Sequence, residues 1–185
     1  EFEALGIPMS QRGSLTNESI NIMKELWTHS SSSYSSRRWN FSEIKFAPKP
    51  IQTPHIPLWI GGSSPGALNR VVNLGDGWHP SGVTPEEFSM GRLEIVELSK
   101  RTGRNPESLT MSARVEVEVG SGPSSARAAN RARLSGDNPD EMISGIEAYR
   151  SAGVEHIVLA LNSGDVGRLK ETMQQISETV IPHFG

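Results

Sequence analysis

The sequence predicts an α/β fold in which parallel strands alternate with helices from about residue 55 onward. Short apolar runs typical of strands lie at residues 58–60 and 157–161, and a longer alternating run lies at 109–119. Segments with helical caps and helical periodicity separate these runs. The order after residue 55 is strand, helix, strand, helix, strand, helix, helix, strand, helix. This order predicts about four strands of a parallel sheet.

Composition narrows the class of protein. The 185 residues are 35% hydrophobic and 21% charged, with 18 Lys and Arg against 21 Asp and Glu and no cysteine. A net charge of −3 favours no nucleic-acid partner, and no apolar run reaches the length of a membrane span. Without cysteine, disulfides, thiolate metal sites and a cysteine nucleophile are excluded. We therefore expect a soluble, cytoplasmic protein that binds neither nucleic acid nor membrane.

Residues 1–54 form a first region, made of one helix and an insertion with a hairpin. Thr16 or Asn17 is the predicted helix cap, and Ile20, Met23 and Trp27 recur at helical spacing. The serine-rich run at 30–36 is expected to bury little and to be mobile. Alternation at 39–41 and 44–46 then predicts two hairpin strands. The sequence lacks an initiating methionine, so we expect a fragment of a longer chain.

Residues 55–185 form the second region, which opens on the segment around which the chain is organised. The strand at 58–60 runs into a turn at Gly61 and Gly62, and a second strand lies at residues 77–78. Ser63, Ser64 and Pro65 begin the helix between them, which Gly75 ends. Glycines allow close approach of backbone N–H groups, and the amides of a first helical turn carry partial positive charge. This turn is therefore a predicted anion site, with phosphate as its natural ligand.

The remaining elements follow in order. Thr84 and Glu87 predict a capping box for a helix that runs to Thr102 with Phe88, Leu93 and Val96 as its apolar pattern. The strand at 109–119 puts Ala113, Val115, Val117 and Val119 on one face and Arg114, Glu116 and Glu118 on the other. Helices are expected at 124–134 and from 139 to Gly153, where Met142, Ile143, Ile146 and Tyr149 are buried. The run at 157–161 predicts a parallel strand covered on both faces. Val166, Leu169, Met173, Ile176 and Val180 predict a last amphipathic helix that Pro182 ends.

Several segments resemble, in order and spacing, the bacterial luciferase-like flavin and deazaflavin oxidoreductases, and most closely the branch that uses coenzyme F420. They are Pro48-Lys49-Pro50, Pro54-His55, Leu58-Trp59-Ile60-Gly61-Gly62, Ala67-Leu68-Asn69-Arg70, Leu74-Gly75-Asp76-Gly77-Trp78 and Ala152-Gly153-Val154-Glu155-His156-Ile157-Val158-Leu159. The resemblance implies the C-terminal part of a (βα)8 TIM barrel, with the fifth to eighth strands preceded by an insertion. It also implies an oxidoreductase or monooxygenase with F420, or alternatively FMN, as cofactor.

The resemblance places the cofactor phosphate at the turn. In βα barrels ligands lie at the carboxyl ends of strands. The predicted cofactor-binding residues are Gly61, Gly62, Ser63, Ser64, Gly77, Trp78 and His79. His79 has a pKa range suited to acid/base work, although a lone histidine at a strand end is more often a hydrogen-bonding filler. No histidine has metal-ligand spacing with another, so no metal site is expected, and the catalytic residues are unknown because the resemblance places the ring pocket in the absent first four strands.

Two kinds of partner are expected. The first is a small-molecule substrate, whose identity the sequence does not reveal. The second is another copy of the chain, because four parallel strands without closure leave two unpaired edges. The sequence therefore favours a homo-oligomer, and the rival to an oxidoreductase is a non-catalytic half-barrel that self-associates.

Overall fold

The computed structural model describes residues 1–120 and 132–185. The strands in this part of the chain are β1 (Ser32–Ser35), β2 (Asn40–Ile44), β3 (Trp59–Ile60), β4 (Gly77–Trp78), β5 (Thr110–Glu118), β6 (Arg133–Ser135) and β7 (His156–Asn162). The α-helices are α1 (Arg12–Thr28), α2 (Pro65–Leu74), α3 (Pro85–Thr102), α4 (Pro139–Ser151), α5 (Val166–Gln175) and α6 (Ile181–Phe184). A π-helical turn, Ile176–Val180, joins the last two.

Strand β5 is the centre of a parallel sheet. It pairs with β4 at its start and with β6 at its end, and β7 pairs with it on the other side from Ser112↔His156 to Glu118↔Asn162. Strand β3 continues the sheet beyond β4. The predicted parallel α/β class is confirmed, and β1 and β2 form a separate antiparallel hairpin. The division at residues 54 and 55 stays a prediction.

One face of the sheet carries the hydrophobic core under the helices, and we call it the apolar face. Trp78 and Val115 are at most 1% exposed, and the Trp78 ring stacks on Phe88 with centroids 4.7 Å apart. Gly91 of α3 lies directly over this indole, since a Cβ there would come within 2.3 Å of it. The predicted core residues Ala113, Val117, Val119, Met142, Ile146 and Tyr149 are all buried. Burial of these side chains stabilises the sheet and its helices as one unit.

The helix starts of the central segment form as the local signals predict. The Ser64 hydroxyl accepts a hydrogen bond from the Ala67 amide, Pro65 occupies the first turn and α2 ends at Gly75. Thr84 and Glu87 form the predicted capping box of α3, which ends at Gly103 in the left-handed conformation. These caps satisfy backbone groups that a helix end leaves unpaired. They fix where each helix leaves the sheet.

The N-terminal region differs from expectation in two ways. Helix α1 starts at Arg12 without a side-chain cap, because a 3₁₀ turn leads directly into it and the Thr16 hydroxyl bonds back to the Arg12 carbonyl. Most of the serine-rich run buries little, as expected, since Ser30, Ser31, Ser33 and Ser35 are exposed. Ser32 is the exception: it is fully buried, and its hydroxyl donates to the Glu25 carbonyl at 3.0 Å. That run supplies the first hairpin strand, and the predicted strand at 44–46 is absent. Short serines fit a strand that docks against a helix.

Two predictions about the sheet are wrong. Residues 133–135 form strand β6 beside the end of β5 rather than the end of a helix, while the rest of the predicted 124–134 helix lies outside the described residues. Strand β7 is not covered on both faces, since Val158 is 36% exposed and His156 and Asn162 are exposed. A continuous apolar run does not distinguish a strand covered on both sides from one with an open face.

The helical predictions err where packing overrides periodicity. Leu93 is 59% exposed, and α3 instead buries Phe88, Ile95 and Ser99. In the last helix Val166 and Met173 are exposed, whereas Thr172, Ile176 and Val180 are buried. Pro182 does not end the helix, because the π-helical turn before it starts a new helical segment whose first turn accepts proline.

Candidate functional site

The turn after β3 is exposed and open to a ligand. Gly61, Gly62, Ser63 and Ser64 are all exposed, and Gly62 has φ of +83°, which favours glycine. Across the described part of the chain, the amides of Gly62, Ser63 and Ser64 have no backbone hydrogen-bond acceptor. They lie where α2 begins, at the carboxyl end of a parallel strand. Such amides favour an anion.

Two predicted site residues lie behind the turn rather than in it. Trp78 is fully buried on the apolar face, and its indole N–H donates to the Gly62 carbonyl at 2.8 Å. Gly77 is buried too, because a Cβ there would lie 2.7 Å from the Trp59 ring. We interpret both as positioning residues: Trp78 fixes the turn, and Gly77 makes room for Trp59. Whether the predicted residues bind a cofactor stays a prediction.

The opposite face of the sheet is polar and reaches solvent, and we call it the polar face. His79 follows β4, and its Nδ1 lies 2.8 Å from the Ser112 hydroxyl of β5. Trp59 of β3 lies between two imidazoles, with ring centroids 5.8 Å from His79 and 5.2 Å from His156 of β7. This group crosses the sheet just below the level of the turn. The rings are inclined to one another, by 38° and 66°, and line a partly exposed part of the polar face.

A charged network lies further along the same face. The Arg114 guanidinium pairs with Glu116 and donates to the Ser81 hydroxyl at 3.1 Å. The second Glu116 oxygen accepts from the Asn162 amide at 2.6 Å. These hydrogen bonds thus link the loop after β4 to β5, and β5 to the end of β7. The network fixes the side chains that a ligand on this face would meet.

Burial and nearby charged groups favour the neutral form of His79. Partial burial lowers the pKa of His79 from its ordinary value of 6.5, and the nearby His156 and Arg114 lower it further. A neutral imidazole donates from one nitrogen and accepts at the other. Since Ser112 engages one nitrogen, the other can accept or donate a hydrogen bond to a ligand.

The sequence predicted the turn and His79 as site residues but did not predict most of the polar face. The alternation of β5 placed Arg114 and Glu116 on one face, yet Ser112, two residues earlier, was not included. Trp59 was also not predicted as a site residue, whereas Ser81 and Asn162 lie in the loops 78–82 and 162–165, which the sequence places at the carboxyl ends of strands. The period of two along β5 could have found Ser112, whereas nothing local indicates the partner of Ser81. Among the described residues, no cluster of His, Asp and Glu could hold a metal ion, and no helix is long and apolar enough to cross a membrane.

A parallel βα sheet with an exposed glycine-serine turn and charged side chains near the carboxyl ends of its strands is typical of the βα-barrel class. The family model of the luciferase-like monooxygenases matches residues 1–164. The chain belongs to this family, whose members are oxidoreductases and monooxygenases. The family resemblance found in the sequence is thereby confirmed.

Curated relatives match over part of the chain. An uncharacterised protein of Mycobacterium tuberculosis is 28% identical over 104 residues, which are 56% of this chain and 35% of that protein. An FMNH(2)-dependent dimethylsulfone monooxygenase of Pseudomonas putida is 30% identical over 89 residues, which are 46% of this chain and 24% of that protein. The chain thus spans about a third or less of the length of these two relatives.

Solved structures share the fold at low sequence identity. An F420-dependent secondary alcohol dehydrogenase, in complex with an F420-acetone adduct, superimposes with a TM-score of 0.78 at 16% identity. The match covers 97% of this chain and 64% of the dehydrogenase. This similarity confirms the predicted fold, a part of a luciferase-like TIM barrel. At this sequence identity it shows the fold alone.

Proposed function

We propose that this chain forms the phosphate-binding part of a luciferase-like oxidoreductase site, holding the phosphate of F420, or alternatively of FMN, at the Gly61–Ser64 turn. The observation that carries the proposal is the exposed turn itself. Its amides lack backbone acceptors within the described residues, and they directly precede the first turn of α2, whose N-cap is Ser64. A phosphate would satisfy them and gain from the helix dipole.

The choice of cofactor rests on two relatives that differ. The F420-dependent alcohol dehydrogenase, which shares the fold of this chain, supports the deazaflavin. The FMNH(2)-dependent relative supports FMN. Both cofactors carry a phosphate that fits the same turn, and in either case the ring supplies the hydride or oxygen chemistry. We favour F420 with a small-molecule substrate in a cytoplasmic enzyme, and the remaining barrel strands would complete the ring pocket.

A fluorescence titration of the 185-residue chain with F420 and with FMN tests the proposal. We expect saturable binding of one cofactor, and we expect Gly62→Val to weaken it at least about tenfold, because valine strains the left-handed backbone and blocks the amides. Gly6→Val is the matched control, since Gly6 also has a positive φ, of +66°, but lies in the N-terminal segment with open space around it. Failure of both cofactors to bind the folded chain, or equal weakening by the two variants, would refute the proposal.

A second candidate function follows from the two edge strands of the sheet. In the described residues β3 and β7 each pair on one side only, and Trp59 and Val158 on these strands are exposed. Two copies could pair β3 of one with β7 of the other and so cover both edges. This would make the chain a self-associating half-barrel without catalytic activity of its own. Light scattering over a hundredfold range of concentration tests it, and a monomer throughout would contradict it.

A further inference from the structure

Arg114 holds a central place on the polar face. It lies in the middle of β5, where its neighbours are Val158 on β7 and, through an isolated parallel bridge, Ser81 after β4. The side chain is 36% exposed, so solvent reaches the guanidinium. An arginine in the middle of a sheet face is uncommon unless it is paired or binds a ligand.

The contacts of Arg114 orient its guanidinium but occupy only one of its three nitrogens. Nη1 makes both contacts, one to the Ser81 hydroxyl and one to Glu116. Within the described chain, Nε and Nη2 of Arg114 make no hydrogen bond. A guanidinium has five N–H donors in a planar fork, and the fork binds phosphates and carboxylates through two parallel hydrogen bonds. The free edge of the fork is therefore available to an anion.

The surroundings favour negative charge despite Glu116. One Glu116 oxygen is bound by Arg114 and the other by Asn162, so both oxygens already have a hydrogen-bond donor. Arg114 also lowers the pKa of the neighbouring His79, after the larger effects of burial and of His156, which indicates that its positive charge is felt at the imidazole. No other carboxylate contacts Arg114 in the described residues.

The position of Arg114 also connects it with the turn after β3. Ser81 lies two residues beyond His79, and the His79 carbonyl is 3.6 Å from where a Cβ of Gly61 would be. The Arg114 amide donates to the Pro80 carbonyl, and the Gly82 amide donates to the Arg114 carbonyl. These bonds join Arg114 to the loop after β4, and the His79 amide of that loop donates to the Ile60 carbonyl just before the turn.

We propose that Arg114 and Ser81 bind an anionic group, a phosphate or a carboxylate, of a ligand on the polar face. The inference rests on the proposed function in that it places the ligand at the same end of the sheet. It adds a charged side chain to a site that otherwise offers backbone amides. The anion belongs either to the cofactor or to the substrate, which would then be an acidic small molecule.

Inorganic phosphate tests the site without a cofactor. We expect saturable changes in the Arg114 Nε–H and His79 ring resonances when phosphate is added to the ¹⁵N-labelled chain. Arg114→Gln should weaken phosphate binding at least about tenfold, because a charge-assisted hydrogen bond is lost. Arg150→Gln is the matched control, since Arg150 pairs with Glu147 on the surface of α4. No saturable change in the parent chain, or equal effects of the two variants, would overturn the proposal.

Glu116→Gln should have the opposite effect on phosphate affinity. It keeps the shape of the side chain but removes the negative charge that competes for Arg114. Phosphate should bind several-fold more tightly to this variant. Unchanged or weaker binding, in a variant whose thermal melt shows it to be folded, would overturn the proposal.

FMN and riboflavin distinguish the two sources of the anion, because riboflavin lacks the phosphate. If Arg114→Gln weakens FMN binding and leaves riboflavin binding unchanged, the anion is the cofactor phosphate. If inorganic phosphate binding depends on Arg114 while FMN and F420 binding do not, the anion belongs to the substrate. A chain that binds phosphate through Arg114 but binds neither cofactor would refute the proposed function and leave this inference standing.

Discussion

The two faces of strand β5 differ in the polarity and the exposure of their side chains. Val115 and Val117 point to the apolar face and are at most 2% exposed, while Arg114 and Glu116 beside them point to the polar face and reach solvent. Alternation along a strand separates the two roles by a single residue. The apolar face supplies burial and therefore stability, and the polar face carries charge without burying it unpaired. Changes on the two faces should accordingly have separate effects.

A carboxylate introduced on each face should give the largest difference in the free energy of unfolding. We expect Val115→Asp to lower the free energy of unfolding by about 4 kcal/mol or more, because an unpaired carboxylate would be buried in the core. Val158→Asp, on the polar face of β7, should cost about 1 kcal/mol or less. Urea unfolding followed by circular dichroism measures both. Similar losses in the two variants would mean that the polar face is as buried as the apolar one.

Truncation of the core indole is expected to come next. Trp78→Ala should lower the free energy of unfolding by about 3–5 kcal/mol, because it leaves a cavity between Phe88 and Gly91 and removes the bond to the Gly62 carbonyl. Leu93→Ala on the same helix layer, at a residue 59% exposed, should change it by less than about 0.5 kcal/mol. A small effect of Trp78→Ala in the same urea assay would contradict this account of the apolar face.

Two buried serines sharpen the comparison at a smaller scale. Ser112 bonds to His79, so Ser112→Ala should cost about 1 kcal/mol. Ser99 lies on the buried side of α3, and its hydroxyl has no hydrogen-bond partner in the described part of the chain. Ser99→Ala should therefore be neutral or stabilise the protein. Thermal melts of the two variants provide the measurement. A destabilising Ser99→Ala would indicate that its hydroxyl is satisfied.

The smallest expected effect is the pH dependence due to His79. Folding lowers the pKa of His79 below its unfolded value near 6.5, first through burial and then through His156 and Arg114. The unfolded chain therefore binds more protons in this window, and the contribution of His79 is full above pH 6.5 and is lost as the pH falls toward the folded pKa. Between pH 7 and 5 the free energy of unfolding should fall less steeply in His79→Gln than in the parent chain.

A matched histidine provides the control for this pH effect. His183→Gln alters an exposed residue of α6, away from His79. If His79→Gln and His183→Gln give the same slope, the polar face does not hold His79 neutral.

Elements with local signals were predictable from the sequence. The Ser64 and Pro65 start of α2, its end at Gly75 and the Thr84 capping box all involve residues within four positions of one another, so no distant contact is needed to form them. The exposed turn of the candidate site is such an element. The alternation of β5 likewise separated its apolar residues from Arg114 and Glu116.

Elements that depend on a distant neighbour were not predictable. Strand β6 forms because the end of β5 offers it a parallel edge, and Leu93 is exposed because Ile95 and Ser99 turn toward the sheet instead. In each case packing outweighs the local preference, which amounts to only about 1 kcal/mol per residue apart from proline.

The sequence by itself determined the parallel α/β class, the cap positions and the glycine-serine turn, because each depends on short-range geometry and on hydrophobic periodicity. Only the tertiary structure decided the polar face. His79 meets Ser112 across 33 residues, Arg114 meets Ser81 across 33, and Asn162 meets Glu116 across 46. The register of strand pairing sets these meetings, and register is fixed when the whole apolar face is buried at once, since a slip of one residue would place Val115 and Val117 in water.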